Sequence, residues 1–422
     1  MTAGEPGSQP TFAEAAGFWL RLGFVSFGGP AGQIAIMHRE VVEHRRWLDE
    51  RQFAGALNFC MLLPGPEALQ LAIYLGWRLH GVRGGLVAGL GFIGPAIVLL
   101  LGLSYAYARF GHVPAASGLL LGLKAAVVAL VLQALVSIGR RALRGPLSIV
   151  LAISSFVALQ WLHVPFPLVV LAAGLAGLAS AWRTPRAAVP AAFVPARKAE
   201  SLRIATAGLA LWLLPLVLVT ASLGAQSLWM RLYLFFTQAA LVTFGGAYAV
   251  LGYVTQHLVQ DLGWVTAPQS VAGLALAETT PGPLVIVLQF MGFMAGWNNP
   301  APLEPGAAAL LAALLVSWAT FLPSFVLIFL GAPYVERLTH EPRVSAALAA
   351  ITAAVVGIIA TLAVLLARVV IFPEGVAATP AWPALVIAGA VWLILRRTDV
   401  ALPWVLGGAA LTGLACQALG WT

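Results

Sequence analysis

The chain has 422 residues, 61% hydrophobic and only 9% charged, too few charges for a water-soluble fold, since a soluble domain carries about 25%. The net charge of +8 does not point to nucleic acid, because the basic residues sit in short loops between apolar runs, where they orient a membrane protein. Cys60 and Cys416 are the only cysteines, which excludes a disulfide framework or a cysteine-built metal centre.

Residues 1–11 hold one Glu and no Lys or Arg, so they lack the basic region of a signal peptide and are expected to form a short disordered tail. Charge-free runs follow, such as Gly84 to Ala108, each long enough as a helix to cross a hydrocarbon core of about 30 Å. A barrel would need short alternating segments instead. Apolar segments fall at 12–37, 53–77, 84–108, 112–139, 146–163 and 165–182. A polar, proline-rich linker spans 183–203 and is the expected domain boundary. Beyond it lie 204–224, 229–257, 268–296, 305–334, 344–371, 378–395 and 400–421, thirteen segments in all.

Internal repetition organises these segments. At an offset of 217 residues, Val25, Phe27-Gly28-Gly29, Trp47, Leu57 and Pro64-Gly65-Pro66 coincide with Val242, Phe244-Gly245-Gly246, Trp264, Leu274 and Pro281-Gly282-Pro283. An insertion near Asn298 to Gly306 then moves the register to 228. There Pro95 meets Pro323, and Ala125-Ala126-Val127-Val128 meets Ala353-Ala354-Val355-Val356. The expected fold is an all-α polytopic membrane protein of two homologous six-segment halves, 12–182 and 225–422, with the extra helix 204–224 between them. That single additional crossing turns the second half upside down, giving an inverted repeat of the kind that supports alternating access.

Loop charge favours a cytoplasmic N-terminus. One loop stands apart: Arg39, Arg45, Arg46 and Arg51 lie between the two broken segments of the first half, whereas the matching loop from His257 to Pro268 has no Lys or Arg. If the broken segments are re-entrant hairpins, the first pair opens to the cytoplasm and the second to the outside. Thirteen crossings, or nine crossings with four hairpins, both fit. Trp47 and Trp264 fall near segment ends and read as interfacial anchors.

The glycine-proline breaks carry the expected chemistry. Pro30 and Pro66 lack an amide hydrogen and have a preset φ, so they suit the first turn of new helices over 30–46 and 66–80. Each new helix would offer free backbone N–H groups and the positive end of its dipole to an anion, and glycine permits close approach. A plain packing kink is the competing explanation for one break. Recurrence in both halves favours a substrate role, with Gly28, Gly29, Pro30, Pro64, Gly65 and Pro66 answered by Gly245, Gly246, Pro281, Gly282 and Pro283.

Lys124 is flanked by long apolar runs, so burial toward a polar path is its default, and its repeat partner is Thr352. Arg21, whose partner is Gln238, either reaches the first break or snorkels to an interface. Glu67 follows the first PGP, where the helix dipole favours a carboxylate. Glu278 precedes the second and has no such support, so it is either paired with Arg21 or Lys124 or able to take a proton. Ser26, Asn58, Gln70, Thr243, Thr279 and Thr280 are polar neighbours able to complete a site or to bond another helix.

The runs Leu22-Gly23-Phe24-Val25-Ser26-Phe27-Gly28-Gly29-Pro30-Ala31-Gly32-Gln33, Asn58-Phe59-Cys60-Met61-Leu62-Leu63-Pro64-Gly65-Pro66-Glu67-Ala68 and Ala277-Glu278-Thr279-Thr280-Pro281-Gly282-Pro283-Leu284 resemble those of the chromate ion transporter family, long-chain two-domain type. The resemblance covers about Phe12 to Leu414. It implies a bacterial inner-membrane protein that exports chromate and confers resistance, with a link to sulfate, which is isosteric with chromate. Ala247 stands where a proline would follow Gly246, a departure that bears on the helix start there. No cofactor or metal is expected, and the partners are the oxyanion and the lipid bilayer. Oligomeric state stays open, a homodimer included, because a lipid-facing dimer surface has no dependable sequence signature.

Other classes are weaker. A membrane-embedded enzyme would need a dyad or metal cluster, and the chain has no HExxH, GxSxG or GxxxxGK[ST] run. A carrier for sulfate or another oxyanion, or an anion channel, remains the alternative. The stretch from Val25 to Gln70 is thus expected to form the cytoplasm-facing side of an anion site, with its twin around Gly245 and Pro281 on the other side.

Overall fold

A computed structural model describes residues 10–182, 198–244, 246–334, 342–375, 377–398 and 400–421. Among these the regular structure is helical, as a backbone without water to bond requires. The first half contains α1 (Phe12–Val25), α2 (Gly29–His38), α3 (Glu50–Cys60), α4 (Glu67–Phe110), α5 (Pro114–Ala142), α6 (Pro146–Gln160) and α7 (Phe166–Ser180). After α8 (Lys198–Leu223) come α9 (Leu228–Val242), α10 (Ala247–Thr255), α11 (Ala267–Glu278), α12 (Val287–Asn298), α13 (Pro305–Gly331), α14 (Pro342–Val370), α15 (Trp382–Arg397) and α16 (Leu402–Ala418). Helices α4, α5, α8, α13 and α14 are long and apolar enough to cross a membrane. The chain is a multi-pass membrane protein.

One expected boundary holds and one moves. The run 84–108 is a separate helical part: α4 is interrupted at His80 and Gly81, where φ and ψ leave the helical region, and its two parts fold back so that Gly76 lies against Gly84 and Ala88. Helix α8 already begins at Lys198, shortening the expected linker; residues 183–197 and the tail residues 1–9 lie outside the described ones. Outward-facing Leu209, Val217 and Leu218 mark α8 as peripheral, with only 11% of its apolar window buried. Such a surface suits lipid.

Local chemistry at the helix starts repeats with the sequence. Asp49 and Gln52 close a capping box on α3, and Thr266 and Gln269, 217 residues on, close one on α11. Both α2 and α10 run on into a π-helical turn, Arg39–His44 and Gln256–Asp261. The Trp47 amide then donates to the Val41 carbonyl at 2.8 Å, and the Trp264 amide to Leu258 at 2.9 Å. Trp47 is not a free lipid anchor: its ring meets Phe18 edge-on at 5.2 Å, with the Arg45 guanidinium 5.1 Å above it.

Each broken segment doubles back. Arg45 pairs with Glu14 near the start of α1 at 3.4 Å, so α2 and its π-turn return to the end from which α1 set out. His38 bonds Glu50 across to α3 at 2.8 Å, and His80, at the bend of α4, bonds the Pro10 carbonyl at 3.0 Å. In the second half, Asn298 at the end of α12 donates to the Trp264 carbonyl ahead of α11 at 3.0 Å, and Trp264 shares a surface pocket with Leu228 and Arg231 at the start of α9. Near the far end of α4, the Tyr105 ring meets Trp297 edge-on at 6.1 Å.

The halves interlock. Helix α5 packs on α15 and α16, while its counterpart α14 packs on α6 and α7, and α5 and α14 also meet each other. Small residues allow this closeness: Gly122 lies against the Ala409 backbone, and Gly177 against Ala346 and Ala347. In lipid, where apolar surface gains nothing from association alone, such backbone approach is the main source of attraction.

Candidate functional site

The four breaks meet at two reciprocal contacts. The Gly65 amide donates to the Thr243 carbonyl, and the Gly282 amide to the Ser26 carbonyl, both at 2.8 Å. Each PGP of one half is therefore tied to the C-cap of the helix that leads into the GG break of the other. The N–H groups of Gly65 and Gly282 are thus occupied by protein carbonyls, which leaves any anion-facing N–H groups to the helix starts themselves. Gly65 has φ +127° and Gly282 φ +109°, a region open to glycine. A Cβ on Gly65 would come within 2.7 Å of Gln70 Nε2 and 2.9 Å of Ser324 Oγ; one on Gly282 would come within 2.7 Å of Ala96 Cβ. Ala96 and Ser324 follow Pro95 and Pro323, so each PGP rests on the proline-bearing helix of the opposite half.

The GG breaks are the more open sites. Gly28 (φ +92°) ends the non-helical link as N-cap of α2, with Gly29 and Pro30 opening the helix. Gly28 is exposed and Gly29 and Pro30 are half-buried. Helix α10 starts at Ala247 from Gly246 (φ +99°), so the missing proline does not prevent a helix start; Gly245 is outside the described residues. Pro66 and Pro283 act as N-caps, the first of α4 and the second of a 3-10 turn (Leu284–Ile286) that leads into α12.

Several expected polar residues close backbone groups at the break ends. Ser26 donates to the Leu22 carbonyl and Thr243 to Ala239. Thr279 and Thr280 both donate to Leu276 at 2.8 Å. Gln70 donates from Nε2 to the Pro64 carbonyl at 2.7 Å, leaving its own buried Oε1 unpartnered. Asn58 is exposed on α3.

The charged residues separate. Lys124 is half-buried on α5, which packs against α11, and no hydrogen bond or ion pair engages it among the described residues. Arg21 is exposed on α1, beside exposed Leu20 and Phe24. Glu67 is half-buried at the start of α4. Glu278 is buried and pairs with neither Arg21 nor Lys124; its carboxylate accepts a 2.7 Å bond from the Tyr248 hydroxyl.

Two residues at the breaks were not picked out from sequence. Gln33, wholly buried, spans the halves by donating from Nε2 to the carbonyls of Ser26, at 3.3 Å, and Gly282. Its place four residues after Gly29, one turn into the new helix, was the available signal. Tyr248 carried none, because its repeat partner is Ala31.

A multi-pass helical membrane protein with paired broken segments tied across two repeated halves has the build of a membrane transporter. A family model described as Chromate transporter matches residues 13–178 and 230–414, and the chain belongs to that family. It is 32% identical over 405 residues to a chromate transport protein of Pseudomonas aeruginosa, covering 94% of this chain and 90% of that protein. A chromate transport protein of Cupriavidus metallidurans is 29% identical over 427 residues, covering 99% and 96%. An uncharacterized transporter of Bacillus subtilis, YwrB, matches 36% of this chain with 79% of its own length at 32% identity. No solved structure matches the chain.

Proposed function

We propose that the protein is a secondary carrier that exports chromate across the bacterial inner membrane and so confers resistance, using an inverted repeat of 12–182 and 225–422. The reciprocal pair of hydrogen bonds, Gly65 to Thr243 and Gly282 to Ser26, carries this reading. Contact of i with j repeated as j with i between equivalent positions is the mark of a two-fold relation. The returning hairpins support nine crossings with four hairpins: the first half's pairs gather residues 10–14, 38–50 and 80, whereas Trp297, at the second half's end, meets the opposite end of α4. Helix α8 supplies the odd crossing. The arginines between α2 and α3 favour a cytoplasmic first pair and N-terminus.

Chromate is a tetrahedral dianion. The N–H groups that open α2 and α10, at Gly28, Gly29 and Ala31 around the preset turn of Pro30 and at Gly246, would let an anion replace water with helix ends, and Lys124 supplies an unpaired charge. The remaining proposed contacts, Asn58, Glu67, Gln70, Thr279, Thr280 and the PGP residues, shape the break, and Arg21 draws the anion toward it. An inside-negative potential of about 100 mV favours outward movement of a dianion by about 4.6 kcal/mol, twice the value for one charge. Export needs no nucleotide.

Proteoliposomes loaded with labelled chromate, sulfate or molybdate under an imposed potential test this. Saturable chromate efflux that rises with inside-negative potential is expected, with sulfate as competitor. Single-channel currents, or flux of sulfate in preference to chromate, would sink it.

A further inference from the structure

Glu278 occupies a position that disfavours a charged carboxylate. It is 6% exposed and is the last residue of α11, at the negative end of the helix dipole. Its hydrogen-bond partner is one neutral hydroxyl, that of Tyr248 at 2.7 Å. Among the described residues no Lys, Arg or His forms an ion pair with it; the pairs involve other carboxylates. A buried ionised carboxylate ordinarily requires a cation or several donors.

The surroundings supply little else that titrates. Helix α11 packs on α4, α5, α12 and α14, and α10 adds α9. Away from their ends these helices carry Lys124 on α5, Tyr74, Tyr105 and Tyr107 on α4, Tyr233 on α9 and Tyr253 on α10, and α12 carries none. The charges of α4, α5 and α14 otherwise lie at helix ends or at the bend of α4 (Glu67; Arg78, His80 and Arg83; Arg109; Arg140 and Arg141; Arg343 and Arg368), with Arg231 near the start of α9.

The repeat shows that the fold does not need this pair. The counterpart of Glu278 is Met61, and that of Tyr248 is Ala31. Met61 is 52% exposed at the same turn before its PGP. A carboxyl and the hydroxyl that bonds it have thus appeared together in one half only.

We infer that Glu278 and Tyr248 form a proton-binding site at the second break, occupied in this conformation, and that loading and unloading it couples proton movement to anion movement. A proton from water adds to the carboxylate to give the neutral acid, whose carbonyl keeps the Tyr248 donor. When the second hairpin pair opens, the proton leaves to water and the Tyr248 O–H remains on the carboxylate. The first half, with Lys124, holds the anion, and the second half holds the proton. The coupling step rests on the transport reading; the protonation step does not.

Infrared spectroscopy of the purified protein separates the two. At neutral pH the wild type is expected to show a carboxylic-acid C=O band that is absent in Glu278→Gln and moves to higher frequency in Tyr248→Phe, which removes a donor from the carbonyl. Full persistence of the band in Glu278→Gln would overturn the site, and the Tyr248→Phe shift tests it should Glu278→Gln fail to fold. In proteoliposomes with an entrapped pH dye, a chromate gradient should drive proton movement in the wild type. Glu278→Gln should keep chromate–chromate exchange and lose at least about tenfold of the coupled proton signal. Wild-type proton-to-chromate ratios in Glu278→Gln would overturn the coupling. A wild type with the infrared band but without chromate flux would leave the proton site standing and remove the transport reading.

Discussion

The two hairpin pairs share sequence signals and helix caps yet are buried differently. In the second pair, residues 270–278 and 280–296 are buried without interruption. In the first pair, α3 and its C-cap expose Arg51, Gln52, Ala54, Asn58 and Met61. The counterparts of the last three, Val271, Ala275 and Glu278, are buried, while those of Arg51 and Gln52, Pro268 and Gln269, are exposed and half-buried at the start of α11. One fold element therefore presents a polar open face in one half and a packed apolar face in the other. Under the proposed carrier reading, such a difference is what one conformation should look like, with the first pair open and the second closed. The added residues make the roles unequal even after exchange: Lys124 against Thr352, and Glu278 with Tyr248 against Met61 with Ala31.

The largest expected effect comes from breaking what the pairs have in common. Gly282→Ala places a Cβ 2.7 Å from Ala96 Cβ at φ +109°, combining steric overlap with backbone strain of about 1–3 kcal/mol, and should abolish efflux and lower the yield of folded protein. Adding Ala96→Gly removes the overlap but not the strain, so the double variant should recover yield in part. Full efflux in Gly282→Ala, measured as chromate retained by cells, would show that the reciprocal contact is dispensable.

Next in size is the charge that distinguishes the first half. Lys124→Ala should reduce labelled chromate efflux by about 100-fold, the loss of one strong charge-assisted contact in a dry site, while membrane levels stay near wild type. Lys124→Arg should keep part of the activity. Thr352→Lys in the Lys124→Ala background tests whether the position is shared by both halves; rescue would show that it is.

The open-versus-closed contrast can be measured directly. In a background with Cys60 and Cys416 replaced by serine, Asn58→Cys should react with a membrane-impermeant maleimide about tenfold faster than its counterpart Ala275→Cys in the absence of chromate. Equal rates would mean that the asymmetry does not describe the resting protein.

Much of this was legible in the sequence because membrane folding leaves few options. Long charge-free runs must be helices, and glycine-proline breaks that recur at 217 residues must be duplicated structure. The capping boxes at Asp49 and Thr266 were also there to read. What escaped was long-range pairing. Nothing local to Gly65 shows that its amide bonds Thr243. Glu278 could be flagged as unsupported, but Tyr248, thirty residues earlier and without a counterpart in the repeat, could not be named as its partner. The break at His80 and Gly81 was legible too, since it falls in the charged gap between the expected segments 53–77 and 84–108.

The smallest effect concerns the rim of the first pair, where a titratable tie stands in place of the neutral Thr255–Ser270 bond, at 2.6 Å, that joins α10 to α11 in the second half. His38 bonds Glu50 at 2.8 Å and lies 3.2 Å from Glu43, tying α2 to α3. The hydrogen bond to Glu50, with the charges of Glu50 and Glu43, holds its pKa above the ordinary value of 6.5. A group whose pKa rises on folding contributes stability that is complete below its unfolded pKa and is lost as pH climbs through the folded one. The wild type should therefore lose about 1–2 °C in Tm, a value suited to a partly exposed pair, between pH 6 and pH 8 relative to His38→Gln. His257, the residue nearest in role, pairs only within its own turn, with Asp261 at 2.8 Å. His257→Gln should then leave that pH dependence unchanged, and an equal loss in both variants would show that the tie between α2 and α3 is not what the protonated His38 supports.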